Sequence, residues 1–204
     1  MSVEKDFSDS LLPSFATCTV CVVGLGYVGL PLAVELSKIR QCHRTSSELN
    51  RRIIGFDINS VRVSELKSCI DRTNEISLQD LENLSNLEFT TDPDYLKDAD
   101  IFIVTVPTPI DKAKRPDLTA MKKASAMIGA ALKDRLSTKI PIIIFESTVY
   151  PGATEEVCVP IIEKNSSLIY NKDFACGYSP ERINPGDNVR KLTSIVKVTS
   201  GSTL

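Results

Sequence analysis

The sequence has no excess of basic residues, no long apolar run and no internal repeat. Its 24 lysine and arginine residues against 26 aspartate and glutamate residues give a net charge of -2, so attraction to nucleic acid is not expected. A membrane-spanning helix needs about 20 consecutive apolar residues, and no segment approaches this length. We therefore expect neither a nucleic-acid partner nor a membrane partner, whereas 204 residues with 42% hydrophobic side chains suffice for a buried globular core.

The first 17 residues lack the basic start and long apolar segment of a secretory signal, so residues 1–17 are predicted to be a disordered tail or a leader. Without a signal, the six cysteines are expected to be free thiols of a cytoplasmic protein. Cys18 and Cys21 form a CxxC pair, but residues three apart on a strand face opposite sides. Adding Cys42 and His43 fits no common zinc spacing, and no metal site is predicted.

Short apolar runs alternate with segments of helical periodicity across residues 18–204. This alternation predicts one α/β domain with a Rossmann-like, doubly wound parallel sheet and helices on both faces. The predicted strands are 19–23, 52–56, 101–106, 141–145 and 195–198, with weaker candidates at 87–90 and 174–177. The predicted helices are 28–39, 60–68, 119–133 and 153–164, and Pro160 is expected to kink the last of these or to shift its start.

A GxGxxG motif formed by Gly24, Gly26 and Gly29 lies directly after the first predicted strand and before the first predicted helix. In this position the first glycine permits a tight turn, the second lets the backbone approach a pyrophosphate, and the third lets the helix pack closely on the strand. The amides at the helix start would face the phosphates. The alternative interpretation is a glycine-rich turn without a ligand.

Asp57 ends the second predicted strand, where an acid can accept hydrogen bonds from both ribose hydroxyls of a dinucleotide and would repel a 2'-phosphate. NAD is therefore the predicted cofactor, in preference to NADP. The spacing from the glycines exceeds the usual ~20 residues, and a polar loop predicted at 40–50 accounts for the excess. Arg62 could lie over the adenine or reach a phosphate, or it could be a solvated charge on a helix.

Polar residues also follow the later strands, and ligands of doubly wound sheets bind at the carboxyl ends of strands. Thr108 follows 101–106 between two prolines and is expected near the nicotinamide. Ser147 and Thr148 follow 141–145, where they could contact a ligand or cap a helix. Glu181 lies in a dense turn and is a candidate proton carrier, although an isolated loop acid could simply be solvated.

Five segments in this order resemble the nucleotide-sugar dehydrogenase family, which includes UDP-glucose and UDP-N-acetylhexosamine dehydrogenases. They are VVGLGYVGLPLAVELSK, IIGFDINSVRVSELK, ADIFIVTVPTPID, ESTVYPGATEEVCVP and GYSPERINPGD. The resemblance implies oxidation of a sugar 6-hydroxyl to a carboxylate by two NAD molecules in succession, through a thioester on a cysteine, in a homodimer or larger assembly. No cysteine of this chain lies in the glycine-rich segment that carries that nucleophile, so the chain alone is expected to bind NAD without turnover.

The same resemblance assigns roles to individual residues. It implies that Thr148 helps to hold the hydrolytic water and that Glu181 assists proton transfer. The cofactor-binding residues that it implies are Gly24, Leu25, Gly26, Tyr27, Val28, Gly29, Asp57, Arg62, Val104, Thr105, Val106, Pro107, Thr108, Ser147, Thr148 and Val149. The residues that it implies beside the sugar are Glu181, Arg182, Ile183, Asn184 and Pro185.

One departure within this loop bears on the substrate. UDP-glucose dehydrogenases resemble SPEFLREG here, with a second glutamate four residues after the first, whereas this chain has Pro185. The segment SPERINPGD resembles the N-acetylhexosamine branch, and the galactosamine-type dehydrogenases most of all, so UDP-N-acetylhexosamine is the predicted substrate. Two alternatives are a UDP-glucose dehydrogenase and a protein that binds NAD without catalysis.

Overall fold

The fold is a single sheet with helices on both faces, seen in a computed structural model that describes residues 11–110, 115–182 and 195–202. The strands are β1 (Thr19–Val23), β2 (Arg52–Phe56), β3 (Leu87–Thr90), β4 (Ile101–Val104), β5 (Ile142–Phe145), β6 (Ala175–Tyr178) and β7 (Ser200–Gly201). Their order is β3-β2-β1-β4-β5-β6-β7, with β1 to β6 parallel and β7 antiparallel to β6. The predicted doubly wound parallel sheet is confirmed, and its order reverses between β1 and β4.

The α-helices are α1 (Gly29–Lys38), α2 (Ser60–Lys67), α3 (Leu78–Glu82), α4 (Thr119–Lys133) and α5 (Val159–Ser166). The prediction for α4 is confirmed at both ends. Pro160 lies in the first turn of α5, and a π-helical segment, Thr154–Cys158, precedes that helix. Cys158 and Val159 both keep right-handed helical backbone angles, so the predicted helix over 153–164 is continuous, with π-helical geometry just before Pro160, which lacks an amide hydrogen.

The predicted strand at 195–198 is wrong, because β7 begins only at Ser200. The apolar side chains that suggested a strand are not buried: Val196 is 81% exposed and Val198 is 51% exposed. The sheet edge is formed instead by two residues paired antiparallel with Gly177 and Tyr178.

The two faces of the sheet carry separate cores. One face packs against α4 and α5 and includes Phe102, Met121 and Ile128, whereas the other packs against α1 and α2. Cys21 belongs to the first core and Cys18 to the second, so the two thiols of the CxxC pair lie on opposite faces as predicted. Among the described helices, none combines the length and apolarity that crossing a bilayer requires.

Residues 11–17 pack against the domain, whereas residues 1–17 were predicted to be a disordered tail or a leader. The amide of Asn50 donates to the carbonyl of Ala16 at 2.7 Å, and the amide of Ile140 donates to the carbonyl of Leu11 at 2.9 Å. The guanidinium of Arg51 also lies over the ring of Phe15. These contacts place the start of the packed chain before residue 18, and residues 1–10 lie outside the described part.

Candidate functional site

The carboxyl ends of β1, β2, β4 and β5 open into one cleft of about 740 Å³. This is the switch point of the sheet, where doubly wound folds bind their ligands. The predicted residues that line the cleft are Gly24, Leu25, Gly26, Tyr27, Val28, Asp57, Thr105, Val106, Pro107, Thr108, Ser147, Thr148 and Glu181. The structure thus brings together segments that are up to 157 positions apart, from Gly24 to Glu181.

The glycine-rich loop needs each glycine for a different reason. Gly24 has a φ of +98°, which favours glycine. A Cβ on Gly29 would collide with the carbonyl oxygen of Gly24 and with the hydroxyl of Thr105, so this helix start lies directly on the loop. A Cβ on Gly26 would meet no protein atom within 4 Å. Gly26 therefore leaves open space at the cleft, as a backbone that approaches a pyrophosphate requires.

Helix α1 begins behind this loop without a side-chain cap. Val28 occupies the N-cap position and makes no side-chain hydrogen bond to the first turn. In the first turn of α1 the amide of Leu30 donates to the carbonyl of Gly26 at 3.1 Å and Pro31 has no amide hydrogen, so what this helix start offers an anion is mainly the positive end of the helix dipole. The start of α1 can therefore bind the anionic phosphates of a dinucleotide.

Asp57 follows β2 and contacts the glycine-rich loop. Its Oδ2 accepts a hydrogen bond of 2.8 Å from the amide of Leu25, and its Oδ1 accepts one of 2.9 Å from the amide of Asn59. A carboxylate oxygen can accept more than one hydrogen bond, and Asp57 lines the cleft. Its position suits the predicted contact with ribose hydroxyls.

Arg62 is buried, so the alternative of a solvated helix charge is wrong. Its Nε donates to the carbonyl of Leu25 at 2.9 Å, and its guanidinium forms an ion pair of 2.8 Å with Asp71. It thus binds the back of the loop, while Leu25 lines the cleft. The predicted contact of Arg62 with the cofactor stays a prediction.

Hydroxyl groups join the ends of β4 and β5 to their neighbours. Thr105 Oγ1 donates to the carbonyl of Gly24 at 2.7 Å, and Ser147 Oγ donates to the carbonyl of Val106 at 2.7 Å. Thr108 Oγ1 donates to the carbonyl of Thr148, also at 2.7 Å. Neither Ser147 nor Thr148 caps the next helix, which begins several residues later. These bonds instead fix the floor of the cleft.

The remaining predicted site residues take different positions. Val104 is fully buried in β4, Gly29 begins α1 and Val149 packs on the core. Glu181 is half-buried in the cleft wall, and its Oε1 accepts a hydrogen bond of 2.6 Å from the amide of Arg182, which is exposed. The predicted sugar contacts Ile183, Asn184 and Pro185 lie outside the described residues.

Some cleft residues were not predicted as site residues, among them Glu146 and part of α4. Glu146, at the end of β5, is buried, lines the cleft and forms an ion pair with Lys197. It directly follows an apolar strand, as Asp57 does, and that signal could have identified it. Helix α4 contributes Lys123 and Met127, which carry no local signal because their position depends on how the helix packs.

Comparison with known proteins agrees with this geometry. Residues 18–203 match the NAD binding domain of the UDP-glucose/GDP-mannose dehydrogenase family. The chain belongs to this family. The match covers nearly all of the predicted domain, and it assigns an NAD-dependent oxidoreductase domain to the chain.

Individual relatives carry the names of nucleotide-sugar dehydrogenases. It is 55% identical to UDP-N-acetyl-D-glucosamine 6-dehydrogenase from Pseudomonas aeruginosa, over 90% of this chain and 40% of that protein. It is 31% identical to NDP-N-acetyl-D-galactosaminuronic acid dehydrogenase from Ralstonia solanacearum, over 91% of this chain and 42% of that protein. The structure of UDP-D-ManNAc dehydrogenase from Pyrococcus horikoshii superposes with a TM-score of 0.73 at 26% identity, covering 91% of this chain and 41% of that one. The chain thus spans about two fifths of the length of these relatives.

The cleft fits the NAD that the family implies. Gly26 leaves open space at the predicted phosphate position, the start of α1 lies behind the loop, and Asp57 lines the cleft at the predicted ribose position. The chain is therefore an NAD-binding domain of the UDP-glucose/GDP-mannose dehydrogenase family, and the alternative of a glycine-rich turn without a ligand is wrong.

Proposed function

We propose that the protein to which this chain belongs oxidises the C6 hydroxyl of a UDP-N-acetylhexosamine to a carboxylate. The observation that supports this proposal is that one cleft is lined by the glycine-rich loop, Asp57, the polar residues that follow β5, and Glu181. A dinucleotide bound on the loop would extend along the strand ends toward Thr148 and Glu181, where a sugar hydroxyl could meet it.

NAD⁺, when bound, supplies the hydride acceptor for this chemistry. An alcohol becomes a carboxylate by losing two hydrides and gaining one water, so the reaction needs a group that accepts protons and a group that orients water. Glu181 suits the first role because its carboxylate lies in the cleft wall. Thr148 suits the role of orienting water. Its carbonyl accepts a hydrogen bond from the Thr108 hydroxyl, and this bond fixes the backbone segment that carries Thr148.

The most specific part of the proposal is which N-acetylhexosamine the substrate carries. The relative with 55% identity carries the name of an N-acetyl-D-glucosamine enzyme, and the one named for the galactosamine configuration is 31% identical. These names support UDP-N-acetylglucosamine as the substrate to test first. The galactosamine preference drawn from SPERINPGD stays a prediction, and so does assembly into a homodimer or larger oligomer.

The experiment measures NADH formation by the longer protein that contains this chain. It is supplied separately with UDP-N-acetylglucosamine, UDP-N-acetylgalactosamine, UDP-N-acetylmannosamine and UDP-glucose. We expect turnover with an acetamido sugar, and a large loss of kcat in Glu181→Gln but not in the exposed control Glu88→Gln. Turnover confined to UDP-glucose would contradict the assigned substrate class. Unchanged kcat in Glu181→Gln would contradict the role of that residue.

A further inference from the structure

An ion pair joins the carboxyl end of β5 to the chain that leads into β7. Glu146 directly follows β5, lines the cleft and is buried, and its carboxylate pairs with the ammonium group of Lys197. The backbone of Glu146 is itself held by β4, because its amide donates to the carbonyl of Val104 at 2.8 Å. Lys197 is therefore attached to a fixed point of the sheet.

The side chains around Lys197 face in directions that apolar burial does not explain. Val196 is 81% exposed and Val198 is 51% exposed, whereas the side chain of Lys197 between them is 22% exposed. Exposure alternates along 195–198, as in an extended chain, where a shift by one residue exchanges the inward and outward sets. Burial of the two valines would favour such a shift, so the ion pair with Glu146 determines which side faces inward.

The strand that follows is too short to fix this arrangement by itself. β7 consists of two exposed residues, which pair with Gly177 and Tyr178 of β6. Register is weakly specified in strands that are polar on both sides or rich in glycine. A buried ion pair adds little net stability compared with apolar side chains, and its best-attested role is to specify which of several arrangements forms.

Lys197 and Glu181 occupy equivalent places on the two sides of the pairing between β6 and β7. Tyr178 pairs with Ser200 in the antiparallel register. Glu181 lies three residues after Tyr178, and Lys197 lies three residues before Ser200. A change of register at β7 would therefore change the chain that faces Glu181.

Both sides of this pairing are fastened to consecutive residues at the end of β5. The amide of Ser179 donates to the carbonyl of Phe145 at 3.0 Å, and Lys197 pairs with the next residue, Glu146. Neighbouring strands lie about 4.8 Å apart, so the ion pair forms close to the point where the chain leaves β6 toward Glu181. Glu181 and Glu146 then line the same cleft.

We propose that Lys197 is a positioning residue, whose ion pair with Glu146 holds the chain entering β7 in one register and thereby fixes the position of Glu181 in the cleft wall. Lys197 acts through Glu181 and is not assigned a contact with substrate or cofactor. The inference rests on the proposed function, in which Glu181 accepts protons.

The first measurement is steady-state kinetics of the longer protein that contains this chain, with NAD⁺ and the UDP-N-acetylhexosamine that it oxidises. Lys197→Glu places two carboxylates together and should turn the side chain of residue 197 outward. We expect kcat to fall about ten- to a hundredfold while KM for NAD⁺ changes less than about threefold, because a displaced catalytic group costs rate more than cofactor binding.

Two variants control for the change of charge. Lys197→Arg keeps the ion pair and should retain most of kcat. Lys97→Glu makes the same charge reversal at an exposed lysine that pairs with Asp94, and it should leave both constants unchanged. If Lys197→Glu does not fold, Lys197→Ser takes its place, and this neutral variant should lower kcat by about threefold or more.

A second comparison asks whether Lys197 acts through Glu181. In the Glu181→Gln background, Lys197→Glu should lower kcat by less than about threefold, since the group that it positions is already lost. An equal loss in both backgrounds, or an unchanged kcat in Lys197→Glu, would overturn the inference and leave the proposed reaction intact. Absence of turnover in the parent protein would overturn the proposed function and the inference together.

A third measurement uses the 204-residue chain and does not depend on turnover. In Val196→Cys the new thiol should react readily with iodoacetamide, because position 196 is exposed. Adding Lys197→Glu should slow its labelling by about threefold or more, since the apolar side of 195–198 is then expected to turn inward. Peptide mapping by mass spectrometry measures the rates, and equal rates would overturn the role of the ion pair in setting the register.

Discussion

The carboxylate of Asp57 and the amide of Leu25 are joined by a hydrogen bond of 2.8 Å. This bond ties the end of β2 to the glycine-rich loop that follows β1. Asp57 is expected to bind the ribose hydroxyls, and the loop is expected to bind the phosphates. Their relative position is therefore fixed by the protein itself. Such preorganisation reduces the entropy that binding must overcome.

Asp57→Ala should weaken NAD⁺ binding by about 1.5–3 kcal/mol, or about ten- to a hundredfold, because it removes a charged acceptor from the ribose and from Leu25. Calorimetric titration of the chain measures the effect. Asp94→Ala is the matched control, since that carboxylate is exposed and pairs with Lys97. Equal affinities for the parent and Asp57→Ala would refute the ribose contact.

The pair Gly29→Ala and Gly26→Ala should separate packing from binding. A Cβ at position 29 meets the carbonyl of Gly24, so this variant should lose about 1–3 kcal/mol of unfolding free energy. A Cβ at position 26 meets no protein atom, so this variant should stay folded but bind NAD⁺ about tenfold more weakly or worse. Thermal unfolding and calorimetry on both variants test this, and a Gly26→Ala chain with parental affinity would contradict the assigned phosphate position.

The depressed pKa of Asp71 predicts a specific dependence of stability on pH. The contribution of an acid whose pKa is lowered on folding is present above the unfolded pKa of about 3.9 and is lost as the pH falls through the folded value. The difference in melting temperature between the parent and Asp71→Asn should therefore be largest at neutral pH and should shrink below about pH 4. A difference that stays constant across this range would contradict the prediction.

The cysteines should differ sharply in reactivity. Hydrogen bonds from the Thr45 side chain and from the backbone of Thr45 and Arg44 lower the pKa of Cys42, which is half-exposed. Burial raises the pKa of Cys21 and Cys176 far above the ordinary value. Because the thiolate is the nucleophile, limiting iodoacetamide should label Cys42 first.

Peptide mapping by mass spectrometry measures this order of labelling. Thr45→Val is the control, and it should slow the labelling of Cys42 because it removes the side-chain hydrogen bond. Labelling of Cys21 or Cys176 in the folded chain at the rate of Cys42 would argue against the buried positions of these thiols.

The sequence by itself determined the sheet, the glycine-rich loop and the acid after β2. Apolar runs and GxGxxG are local patterns, and residues close in sequence decide whether a strand or a turn forms. Ligands bind at the carboxyl ends of parallel strands, and this rule predicted that Thr108, Ser147 and Glu181 lie near one ligand site.

Only the tertiary structure decided what these side chains contact. Arg62 could have been solvated, over the adenine or at a phosphate, and its burial beside Asp71 depends on a turn nine residues further along the chain. Val196 and Val198 suggested a strand, yet the edge pairing with β6 begins at Ser200. Such outcomes depend on packing and on hydrogen bonds between distant residues, which no local pattern encodes.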